Sequence, residues 1–141
     1  MFSLRVEGEL PAGTREAVAS GLAAYNTPFI GVRTVEPLNV IVTRDDGSIA
    51  SGLLGETRWQ WFYIDVLWMA DDTRGRHIGT QAMQLAEEEA RRRRCVGAFV
   101  DTLDFQARGF YEKFGFALYG TLPNYPPGHE RFYLFKRYDS V

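Results

Sequence analysis

The stretch Met69-Ala-Asp-Asp-Thr-Arg-Gly-Arg-His-Ile-Gly-Thr80 decides how the chain is read, because hydrophobic periodicity changes across it. Upstream, Gln60 to Met69 is a β-rich apolar run. Downstream, from Arg74, apolar residues recur at the helical period, with Ile78, Ala82, Leu85, Ala86 and Ala90 on one face. Glu87, Glu88 and Glu89 each precede an arginine by four residues, the orientation that supports a helix. The stretch is therefore a strand end that runs through a basic, glycine-containing turn into a long amphipathic helix. The first N–H groups of a helix have no intrahelical acceptor, and the macrodipole places partial positive charge there, so a phosphate can be held by backbone alone. Arg74 and Arg76 add charge, and Gly75 and Gly79 let the backbone approach closely. The turn lacks the Gly-Lys-Ser/Thr of a P-loop and the G-x-G-x-x-G of a dinucleotide fold, so taken alone it reads equally as a surface loop.

Working outward, Leu38 to Thr43 and Ile49 to Trp59 flank Asp45-Asp46-Gly47, the composition of an antiparallel hairpin turn. Phe2, Leu4 and Val6 alternate with Ser3, Arg5 and Glu7, which predicts a half-buried strand, and Pro11 opens a helix with an apolar stripe at Val18, Leu22 and Tyr25. Beyond the long helix, Val96 to Leu103 reads as a buried strand. Phe105 to Phe114 reads as a short helix with Ala107, Phe110, Tyr111 and Phe114 inward and Gly115 as its stop. Phe116 to Thr121 and Arg131 to Arg137 are the last strands, separated by Pro123-Asn124-Tyr125-Pro126-Pro127-Gly128, which no strand accommodates. The order is mixed α/β, with an antiparallel front half and a strand–helix–strand unit in the middle.

The 141 residues carry no composition break, so one domain over residues 1–141 is expected. Sixteen Lys and Arg against 18 Asp and Glu give a net charge of -2, with no global field to draw the chain onto nucleic acid or an anionic membrane. Cys95 has no disulfide partner, no Cys/His set has zinc-site spacing, and the start lacks a signal peptide's apolar core, so metal-free cytoplasmic chemistry is expected. No run approaches the roughly 18 apolar residues of a membrane span. Arg91 to Arg94 complement the helix dipole and read as a solvated face. Trp59, Trp61, Phe62 and Tyr63, with Tyr125 and Tyr133, fit an acceptor-pocket wall, a core or a dimer contact.

The pairing of Arg74-Gly-Arg-His-Ile-Gly79 with Phe110-Tyr-Glu-Lys-Phe-Gly-Phe116 resembles the GNAT superfamily of acetyl-CoA-dependent N-acetyltransferases, most strongly over residues 60 to 120. The resemblance implies a mixed α/β fold whose central, mostly antiparallel sheet has six to seven strands and about four flanking helices. It implies acetyl-CoA as co-substrate and a small-molecule or peptide amine as acceptor, and a homodimer fits the family; composition and charge argue against a metal, a membrane or a nucleic-acid partner. In the family's turn pattern Arg74 takes the first place, Ile78 the variable one and Gly79 the last, while His77 stands where glycine is usual. Either one backbone approach to the pyrophosphate is looser there, or the imidazole itself donates to a phosphate. Main-chain groups from Arg76 through Thr80 would hold the pyrophosphate, and those of Leu67, Trp68 and Met69 would pair with the pantetheine arm.

Tyr111 falls where the family places its general acid, which protonates the departing CoA sulfur after the amine attacks the thioester. Asp104 falls where many relatives carry an asparagine that bonds a pantetheine amide; its plain reading is the N-cap of the Phe105 helix. The acceptor must lose a proton before attack. Asp65, within the apolar Trp61-Phe-Tyr-Ile-Asp-Val-Leu-Trp68 strand, is the first candidate base, on the expectation that desolvation raises its pKa. Glu56, His129 and a water chain are its rivals, and the strand position where some relatives carry glutamate is Phe99. The expected reaction is acetyl transfer to a primary amine by direct attack in a ternary complex; the alternative is a non-catalytic acyl-CoA sensor. The loops Asn26 to Pro37 and Leu122 to Glu130 are expected to select the acceptor.

Overall fold

The structure, a computed structural model, describes residues 1–138. The chain forms two compact units, Met1–Thr34 and a larger one that begins at Val35. In the first, Phe2, Leu4 and Val6 form no strand and are fully exposed, contrary to their alternation. Alternation fits a segment to lie on a core, but a strand also needs a neighbouring edge for its main-chain groups, and this segment pairs with none. Helix α1, Thr14–Ile30, starts three residues after Pro11 and buries no side chain; the rings of Tyr25 and Phe29, one turn apart, stand 5.8 Å from each other.

The larger unit is built on strands β1 (Val35–Thr43), β2 (Ile49–Arg58), β3 (Trp61–Met69), β4 (Gly97–Leu103), β5 (Ala117–Pro123) and β6 (Glu130–Arg137), with helices α2 (Ile78–Arg92) and α3 (Arg108–Lys113). The six strands lie in the order β1-β2-β3-β4-β6-β5. Only β3 and β4 run parallel, and the crossover such a pair requires is the turn and α2 between them. The mixed class is as expected. Among the described residues there are three α-helices where about four were expected, and the sheet has six strands, within the expected six to seven, because the Phe2 segment adds none.

The buried stripe of α2 is Gly79, Ala82, Met83, Ala86, Glu87 and Ala90, whereas Leu85 is exposed. Four of those six are glycine or alanine, so the helix backbone lies close against the sheet. Phe62, Ile64, Ala98, Val100 and Leu134 meet it from the strands, joined by Tyr111 and Phe116. Removing the larger of these side chains from water stabilises the fold by about 1.5–3 kcal/mol each. The arginine run turns onto its own chain: Arg92 and Arg93 both bond Glu89, Arg93 reaches Thr57, and Arg91 lies over the Tyr138 ring.

Candidate active site

β3 and β4 pair only from Trp61↔Gly97 to Ile64↔Val100, although both strands continue. Beyond that point β3 remains bonded to β2 on its far side, and β4 to β6 on its far side. Two inner edges therefore face each other across a gap, each with unpaired main-chain donors and acceptors. An extended, amide-bearing ligand is the natural occupant of such an edge.

Asp65 is the residue at which the strands part. Leu54 pairs with Val66 and Gly55 with Ile64, so Asp65 is the extra residue of a β-bulge, a device that bends a strand and re-aims its side chains. A Cβ on Gly55 opposite would collide with the Tyr63 carbonyl, which explains glycine at that strand position. Asp65 itself is exposed, so the burial on which its sequence-based assignment as a base rested is absent.

The main chain then enters a single 3₁₀ turn, Asp71–Thr73, and reaches α2 through His77, which stands at the N-cap with φ 59°. Left-handed backbone costs a side-chain-bearing residue roughly 1–2 kcal/mol and costs glycine almost nothing. That geometry accounts for the usual glycine where this chain has histidine. No side chain caps α2, its first turn holds no acidic residue, and its first main-chain bond runs from Gln81 N–H to His77 O at 3.0 Å. The N–H groups ahead of that bond are therefore free of intrahelical acceptors. The turn is held in place by Arg44, which donates to both Asp72 oxygens at 2.8 and 2.7 Å and to the Ile49 carbonyl at 3.1 Å. The Arg44 guanidinium accordingly holds the Asp72 carboxyl below its ordinary range.

A cavity of about 910 Å³ fills the gap between the strands. Its walls are Asp65 to Met69 of β3, Ala70, Asp71 and Arg74 of the turn, Val100 to Thr102 of β4, and Phe105 to Ala107, Phe110 and Tyr111. The expected site residues Asp65, Leu67, Trp68, Met69, Arg74 and Tyr111 thus share one cavity. Gly75, Arg76, His77, Ile78, Gly79 and Thr80 do not line it, but Gly79 stands directly behind two lining side chains, Met69 and Phe110. Tyr111 is buried between the rings of Phe110 and Phe116. Burial first, and the Asp101 carboxylate second, push its phenol well above the ordinary 10.

Asp104 is not part of the cavity wall. One of its oxygens lies 2.9 Å from His129 Nδ1 and the other accepts the Glu130 N–H at 2.9 Å, contacts that hold its carboxyl below the usual range. Nor does it cap α3, which begins at Arg108 after Ala107. Asp104 instead fastens the Asn124–His129 turn to the end of β4. His129 is occupied by that bond, and Glu56 by Arg58 at 3.0 Å. Sequence reasoning missed Gln106, whose side-chain oxygen accepts the Leu103 N–H at 2.9 Å and so finishes β4 inside the cavity. It also missed Asp101, a cavity residue bonded to Arg131. A lone carboxylate in the apolar run Val96 to Leu103 was the available signal.

Among the described residues no group of side chains could hold a metal ion, and no helix is long and apolar enough to cross a membrane. An unpaired strand edge, an uncapped helix end and a cavity with a phenol fit a long ligand that bears amides and a diphosphate. Comparison with known proteins agrees. The chain is 38% identical over 107 residues to blasticidin-S acetyltransferase of Streptomyces morookaense, covering 75% of this chain and 79% of that protein. It is 35% identical over 127 residues to an acetyltransferase of Agrobacterium fabrum, covering 90% and 93%. A crystal structure of an acetyltransferase from Agrobacterium tumefaciens superimposes with TM-score 0.86 at 33% identity, over 97% of this chain and all of that one. With the profile of the Acetyltransferase (GNAT) family matching residues 13–116 as well, the chain belongs to that family and is an acetyl-CoA-dependent acyltransferase.

Proposed function

We propose that the cavity between β3 and β4 takes the acetyl-bearing arm of acetyl-CoA and that the enzyme acetylates a primary amine of a small molecule or peptide by direct attack in a ternary complex. The observation that carries this reading is the parting of two parallel strands beside an uncapped helix N-terminus. Backbone amides from Arg76 through Thr80 hold the diphosphate, with Arg74 at the cavity edge adding charge. Leu67 and Met69 bond the pantetheine amides through their main chain, while the Trp68 main chain faces β2 opposite Gly52 and all three side chains form wall. The Ser51 hydroxyl already donates to the Trp68 carbonyl at 2.9 Å and fixes that segment. When bound, acetyl-CoA supplies the thioester carbonyl that the amine attacks.

Tyr111 faces the departing sulfur. Its phenol lies well above 10, whereas a free thiol titrates near ~8.5, so full proton transfer to the thiolate is uphill at ~1.4 kcal/mol per unit of difference. The hydroxyl therefore acts as a hydrogen-bond donor that steadies the leaving thiolate, and the sulfur leaves tolerably without it. Asp65, at the bulge, is the carboxylate placed to receive the proton of the acceptor, either directly or through water. Similarity to a blasticidin-S acetyltransferase supports a small-molecule amine as acceptor.

Three measurements test this. Calorimetry is expected to give one acetyl-CoA site per chain. A panel of amines that includes blasticidin S is expected to release free CoA thiol only when the acceptor is present. Tyr111→Phe is expected to lower kcat by about 100-fold, the worth of one hydrogen-bond donor to a developing anion, with acetyl-CoA affinity within about twofold of wild type. Absence of acetyl-CoA binding, or complete loss of turnover in the variant at unchanged affinity, overturns the respective assignment.

A further inference from the structure

The last paired residues of the two parallel strands are Ile64 and Val100, so Asp65 and Asp101 are the first residues past the parting, one on each lip of the gap. Both line the cavity. Asp101 lies directly opposite Tyr133 on β6, and Arg131, two residues earlier on that strand, bonds its carboxylate. The guanidinium of Arg131 also stacks 4.1 Å over the Tyr125 ring. This arrangement is a second feature of the cavity, distinct from the donor elements at α2 and β3.

The remaining charges on this side are accounted for. Arg58 is bonded to Glu56 at 3.0 Å and lies over the Tyr63 ring, and Arg74 stands 3.6 Å from Asp71. Asp65 is paired with no Lys or Arg among the described residues. With Arg131 offsetting Asp101, the cavity wall past the parting holds one carboxylate without a cationic partner, Asp65, and one, Asp101, that is paired with Arg131. Tyr63 reports the same arrangement: burial first, then Asp101 and Asp65, push its phenol up.

We propose that Asp101 is a specificity-determining residue that seats a cationic group of the acceptor opposite Asp65, with Arg131 setting the charge of that seat, so that the enzyme selects amines bearing a second positive charge. This rests on the acetyl-transfer reading and deepens it. Asp101 touches the acceptor; Arg131 acts through Asp101 and is a positioning residue.

The test compares putrescine, butylamine and γ-aminobutyrate, which share a four-carbon skeleton and carry net charges that step down by one. Acetyl-CoA affinity is followed by calorimetry alongside kcat/KM. For the wild type, putrescine is expected to exceed γ-aminobutyrate by about tenfold or more in kcat/KM, the worth of one charge-assisted contact. Asp101→Asn is expected to bring that ratio within about threefold at unchanged acetyl-CoA affinity. Arg131→Gln is expected to widen it, because the seat gains net negative charge; a purely structural role would lower all three amines together. This opposite sign keeps the idea testable if Asp101→Asn folds poorly. A ratio that neither variant changes overturns the inference and leaves acetyl transfer standing. Acetyl-CoA binding without thiol release for any amine overturns the transferase reading, and this inference with it.

Discussion

A Cβ placed on Gly79 would stand 2.7 Å from Met69 Sδ and 3.2 Å from Phe110 Cε1, so the first turn of α2 presses directly on the end of β3 and on α3. The proposed diphosphate and pantetheine elements are therefore mechanically one piece. Gly79→Val is expected to destabilise the fold by about 1–3 kcal/mol through overpacking and to weaken acetyl-CoA binding about tenfold. Urea denaturation and calorimetry check both; stability loss with unchanged affinity would separate the two elements.

His77 holds φ 59° at the N-cap of α2. His77→Gly relieves left-handed backbone and is expected to raise stability by about 1 kcal/mol, or about 4 °C in Tm for a chain of this size. Acetyl-CoA affinity is expected to hold within about twofold, since the diphosphate is assigned to main-chain donors. A marked loss of affinity would instead identify the imidazole as a phosphate donor.

Asp104 joins His129 and the Glu130 N–H, and Arg131 follows immediately with its bond to Asp101. Asp104→Ala frees the Asn124–His129 turn and is expected to raise the acceptor KM several-fold while leaving the acetyl-CoA Kd unchanged. Steady-state kinetics with each substrate varied in turn reads the split; an equal effect on both substrates would place Asp104 at the donor site.

The Glu89 carboxyl is held down to about 2, first by its hydrogen bond to Arg92 and then by that to Arg93. Because the folded value lies below the unfolded one, the stabilisation is fully present above pH 4.5 and is lost as pH falls toward 2. Glu89→Gln is therefore expected to flatten the acid limb of stability across that window. Arg92 is exposed and Glu89 and Arg93 are only half-buried, so the effect is small and shrinks in salt. Urea midpoints at several pH values, for both proteins, measure it.

How much was legible beforehand differs from residue to residue. The turn from Met69 to Thr80 and the Tyr111 helix were readable because each is written in local chemistry: a change of period, glycines and arginines in a turn, an aromatic stripe. Leu85, expected on the buried face of α2, is exposed, and Glu87, read only as a neighbour of Arg91, is buried. Which face of a helix is buried depends on what packs on it, and here Glu87 meets Lys136 of β6 at 3.0 Å, a partner 49 residues away. Asp104 failed as a cap and as a cavity residue for a similar reason, since its partners lie 25 and 26 residues downstream.

The amino-acid sequence by itself determined the order of elements from Pro11 onward, the anion-ready turn into α2 and the helix that carries Tyr111, because propensity, periodicity and unpaired helix amides act between residues close in the chain. Only the tertiary structure decided that β3 and β4 part after Ile64 and Val100, that Asp65 sits on a bulge, and that Asp101 faces it with Arg131 attached. Strand register and cross-strand ion pairs join residues distant in sequence. They are fixed by packing the whole sheet at once, which no local window contains.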